Sequence, residues 1–164
     1  MAVAGRPYGL QALPNEPAVE VTRWFDATRS DVFEVWTSEG HLGRLWGPRG
    51  MSVRHCEVDL RVGGAYGFQA DCPDGSRFEL TGRIVELDIP TRLVTSYSVG
   101  SDPASEVVEV TTFEDASGGT LVRIVSLHRS CAARDARLAD GTAREAMAEQ
   151  FASLDEVLSR PAGG

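Results

Sequence analysis

Three histidines, three cysteines and 24 carboxylate side chains are the groups in this sequence that could carry acid–base, nucleophilic or metal chemistry. His128 ends an alternating apolar run, where an imidazole titrating near neutrality could accept a proton. A satisfied or exposed histidine at a strand end is the plainer reading. His55 and Glu57 share one side of another alternating run and can pair as base and orienter, or simply sit on a solvated face. Asp59 and Arg61 precede Gly63-Gly64 and suit the bracing of a turn. Cys56, Cys72 and Cys131 form no C-x-x-C pair. A zinc site built from them with His41, His55 or His128 therefore lacks the usual local ligand pairs, and reduced thiols are expected. No G-x-S-x-G elbow occurs. All 16 basic residues are Arg, so a lysine Schiff base and a P-loop lysine are both excluded. These residues assign no catalytic group, no metal and no cofactor.

A chain of 164 residues makes one domain with a single core, and 42% hydrophobic content is that of a globular protein. The net charge of −8 opposes general attraction to nucleic acid or to anionic membranes. No run reaches the ~18–20 apolar residues that span a bilayer. No signal peptide is read at the start, and a cytoplasmic location is expected. Residues 1–17, rich in Pro, Gly and small residues, read as a flexible leader, 18–160 as the domain and 161–164 as a tail.

Alternation predicts a first strand over Ala18 to Phe25, with Val19, Val21, Arg23 and Phe25 on one side. Ser30 can cap a short helix through Trp36, and a second helical turn runs from His41 to Trp46. Strands follow over Met51–Leu60, Ala65–Ala70, Arg77–Leu87, Leu93–Val99, Ser105–Phe113 and Thr120–His128, divided by Gly- and Pro-containing turns. The stretch Arg129 to Gly141 reads as a solvated lid. Met147, Phe151, Leu154 and Leu158 then form the apolar stripe of a helix from about Thr142 to Ser159. Seven strands joined by short turns make an antiparallel sheet, and the sheet's face is the surface able to cover that stripe. The fold class is α+β, with the sheet curled around the long C-terminal helix.

Several strings in this order carry a resemblance. Phe25-Asp26-Ala27 precedes Val32-Phe33-x-x-Trp36-Thr37, and His41-Leu42-x-x-Leu45-Trp46-Gly47-Pro48 follows. Asp59-Leu60-Arg61-x-Gly63-Gly64 leads to Tyr66 and Phe68, then Pro73-Asp74-Gly75, Gly82-x-Ile84-x-Glu86 and Pro90-Thr91-Arg92-Leu93-Val94. From about Val19 to Ser159 the chain resembles the C-terminal-domain-like members of the activator of Hsp90 ATPase family. These belong to the START-like, Bet v 1-like (SRPBCC) superfamily of helix-grip folds. Two positions depart from the family pattern. Leu45 stands where the first Trp of Trp-Trp-Gly-Pro is usual, and Glu149-Gln150 stands where Gly-Trp is usual.

The resemblance implies a cavity between sheet and helix, the kind of concave apolar space in which ligands bind. Its expected lining is Trp36, Trp46, Tyr66, Phe68, Phe78, His128, Met147, Gln150, Phe151 and Leu154, although the same residues could simply fill a core. A hydrophobic or amphipathic small molecule is the expected partner, with the protein a monomer or homodimer and not an enzyme. A cyclase- or aromatase-like enzyme using the cavity is one alternative. A co-chaperone-like module for an Hsp90-type ATPase, with a role in stress response, is another. No nucleic-acid or membrane partner is expected.

Overall fold

The computed structural model describes residues 7–40, 51–139 and 141–160. Eight strands form one antiparallel sheet: β1 (Gly9–Ala12), β2 (Ala18–Phe25), β3 (Ser52–Val58), β4 (Ala65–Asp71), β5 (Arg77–Asp88), β6 (Arg92–Val99), β7 (Val107–Ala116) and β8 (Gly119–Leu127). Among the described residues three α-helices accompany them: α1 (Arg29–Thr37), α2 (Cys131–Leu138) and α3 (Thr142–Leu158). The spatial order is β1-β2-β8-β7-β6-β5-β4-β3. From β3 to β8 every neighbour in sequence is a neighbour in space, as short turns require. The β7–β8 reversal uses only Ser117 and Gly118, both at positive φ (49° and 78°), the geometry that matches strand twist in a two-residue loop.

The sheet has one strand more than the seven expected. The extra strand, β1, lies inside the segment read as a leader and pairs with β2, Leu10 opposite Val21. A second difference is α2, which occupies the stretch read as a loop. Ser130 Oγ accepts from the Ala133 amide at 3.0 Å and caps it. Arg134 of α2 then donates to the carbonyls of Leu13, at 2.8 Å, and Glu16, fastening the helix to the β1–β2 turn. The cap of α1 is Thr28 rather than Ser30, its Oγ1 accepting from the Asp31 amide at 3.2 Å. The second helical turn expected over His41 to Trp46 lies outside the described residues.

Ring contacts build the core between α1, α3 and the sheet. Phe25 meets Trp36 edge-on at 6.4 Å and Phe151 at 5.8 Å, while Phe113 meets Phe33 at 5.1 Å and Trp36 at 5.7 Å. Edge-to-face geometry is the favourable approach of two aromatic quadrupoles. Phe151 and Leu154 of the α3 stripe are fully buried there, and each contributes about 1.5–3 kcal/mol by burial alone. Beside them Arg23, only 2% exposed, points inward from β2. It makes a two-pronged ion pair with Asp155 of α3, one prong at 3.1 Å, and its guanidinium lies 4.6 Å from the Phe25 ring centre. Helix and sheet are thus joined by charge as well as by apolar contact.

Candidate functional site

Register shows which side chains face the helices. Phe113 packs on α1, so Val107, Glu109 and Thr111 share its face of β7. Opposite Glu109 stand Thr95 of β6 and Ser126 of β8, which therefore face the same way. One step along β6 is Tyr97, in line across the sheet with Gly82 of β5 and Tyr66 of β4. A side chain at Gly82 would meet the Ser96 carbonyl oxygen at 2.2 Å and Tyr97 Cβ at 2.7 Å, so the position excludes one. The result is a hydrogen-bonded polar group on a concave face that also carries Arg23, Thr95 and Thr111. Tyr97 Oη donates to Glu109 Oε2 at 3.2 Å and Ser126 Oγ donates to the same oxygen at 3.1 Å.

Protein surrounds the Glu109 carboxyl, while the residue as a whole is half-buried. Burial raises its pKa above the ordinary carboxylate value. The hydroxyls of Ser126 and Tyr97 and the charge of Arg137 on α2 pull it partly back. Tyr97 and Tyr66 are held well above a normal phenol, first by burial and then by the Glu109 charge. His128 moves the other way: burial lowers its pKa, and the charges of Arg137 and Arg134 add to that.

The expected lining residues divide between two places. Trp36, Phe151 and Leu154 lie in the tightly packed ring cluster. Tyr66 and Phe68 are buried on β4, Phe68 against Phe78 at 5.3 Å. Phe78, His128, Met147 and Gln150 are half-buried, and the His128 amide donates to the Pro17 carbonyl at 2.7 Å. Trp46 lies outside the described residues. His55 and Glu57 stand 3.7 Å apart on the outer face, both exposed. Glu109, Tyr97 and Ser126 were not among the expected residues. The signal for Glu109 was present: it falls on the same strand parity as Val107 and Phe113.

A separate surface cleft of about 320 Å³ lies between α1 and the β5–β6 turn, lined by Phe33, Thr37, Leu60, Ile89 and Pro90 among others. Among the described residues, none of the expected lining residues borders it. Among the described residues, no helix is long and apolar enough to cross a membrane.

Comparison with known proteins places this geometry in context. The family described as "Activator of Hsp90 ATPase homolog 1-like protein" matches residues 26–159. A crystal structure of a Rhodobacter sphaeroides protein is 27% identical, covering 93% of this chain and 99% of that one, with a TM-score of 0.84. A Mycobacterium smegmatis protein is 20% identical over 94% of this chain and 99% of its own, with a TM-score of 0.83. A solution structure from Arthrobacter aurescens gives 21% identity, 94% and 92% coverage and a TM-score of 0.78. Among curated proteins, none matches this sequence.

Proposed function

This chain belongs to the Activator of Hsp90 ATPase homolog 1-like family, and on that premise we propose that it binds a hydrophobic or amphipathic small molecule between its sheet and its long helix. One observation carries the reading. Phe78, Tyr97, Glu109 and Ser126 face the concave side, yet all four remain within reach of solvent, while Phe25, Phe113 and Val122 elsewhere on that face are closed off. Inward side chains left unsealed are what the wall of such a space would present, and Met147 of α3, half-buried, packs its flexible thioether against the core. A neutral apolar fluorophore, N-phenyl-1-naphthylamine, should bind the native protein at one saturable site. It should also raise the melting temperature, because a ligand that prefers the folded form stabilises it by mass action. Gln150→Trp, which installs the residue usual in the family, should weaken that binding by filling the space. Absence of saturable binding to the native protein overturns the proposal.

A further inference from the structure

Within that space the polar group is unevenly equipped. Its two nearest donors, the hydroxyl protons of Tyr97 and Ser126, are both spent on Glu109 Oε2. What they leave for a visitor is acceptor capacity: the second carboxyl oxygen, Oε1, and the lone pairs of two hydroxyls. The surroundings sharpen this bias. Among the described residues, the charged or titratable groups that interact with Glu109 are Tyr66 on β4, Tyr97 on β6 and Arg137 on α2, and Arg137 acts in turn on His128, just after β8. The two phenols are held protonated, and burial with neighbouring arginines disfavours the charged imidazole. Arg137 is exposed, and its charge favours the ionised form of Glu109. A ligand carboxylate brought to this point would meet like charge in a poorly screened interior and no free donor from the three residues. An ammonium or hydroxyl would find acceptors already oriented.

We infer that the Glu109–Tyr97–Ser126 group selects ligands whose apolar body ends in a hydrogen-bond donor, an amine or a hydroxyl, and rejects those ending in a carboxylate. The inference rests on the cavity reading above, and its test separates the two. Three probes with one tail serve: 4-phenylbutan-1-amine, 4-phenylbutan-1-ol and 4-phenylbutanoate, each titrated calorimetrically into the full chain at pH 7. The amine and the alcohol should bind at least tenfold more tightly than the carboxylate. Glu109→Gln keeps the shape, removes the charge and offers an amide donor, so the gap should close to within about threefold. Ser126→Ala leaves the Glu109 charge in place and should preserve the ranking. Equal binding of all three tails to the unaltered protein overturns the donor preference alone. A ranking that survives Glu109→Gln overturns the assignment to this group. Failure of all three tails to bind overturns the cavity reading and this inference with it.

Discussion

The concave face is built in two ways at its two ends. Where α1 and α3 rest on β2, β7 and β8, Phe25, Phe113 and Val122 of the sheet and Val32 and Leu154 of the helices are at most 1% exposed. Rings meet edge to face, and the one charge present, Arg23, is matched by Asp155. At the start of β5, the end of β6 and the start of β7, inward positions present Phe78, Tyr97, Val99 and Glu109, and none of them is sealed. The charge there is held by hydroxyls, not by a counter-ion in contact. One end is sealed, and at the other the inward side chains stay half-buried.

Mutation should break the two ends unequally. Phe113→Ala opens a void among four tightly fitted rings and should cost about 3–5 kcal/mol, a large share of the roughly 5–15 kcal/mol holding such a domain together. The urea midpoint reads it, and a loss below 1 kcal/mol would show that this end is not close-packed. Asp155→Ala strands the Arg23 guanidinium in the core. About 3 kcal/mol of destabilisation is expected, and the Arg23→Met/Asp155→Leu double variant should recover most of it. At the unfilled end the effect is a pH dependence. Glu109 has a pKa above its unfolded value, so the folded protein binds its proton more readily. Stability is fully present below the ordinary carboxylate pKa and is lost as pH rises through the raised one. Glu109→Gln escapes that loss, so its midpoint should gain on the unaltered protein between about pH 4 and the neutral range. A pH-independent difference would show that Glu109 is not buried. On the outer face, His55→Ala removes an exposed pair and should change stability by less than about 0.5 kcal/mol.

How far the sequence foretold these two regions follows from what alternation can record. Strand β2 has the bounds read from its pattern, Ala18 to Phe25, because a strand with one apolar face writes that face at every second residue. The α3 stripe is legible for the same reason at helical spacing. Strand β1 is not, since four residues at a sheet edge carry no period, and its pairing is supplied by β2. Helix α2 escapes because it is eight residues long and fully buries none of them, Leu138 packing only partly against the core. Glu109 was visible as a residue but not as a site, because its meaning depends on which side of β7 faces the helices. A slip of one position would reverse that side. The Arg23–Asp155 pair joins residues 132 apart, and nothing local to either announces the other.

That pair also sets an order of events during synthesis. A ribosome delivers α1 and β1 through β8 before Asp155, so Phe113 already has Phe33 and Trp36 to pack on while Arg23 still holds its water. Only when α3 arrives can Phe151 close on Phe25, and the guanidinium then gives up water as it gains a carboxylate.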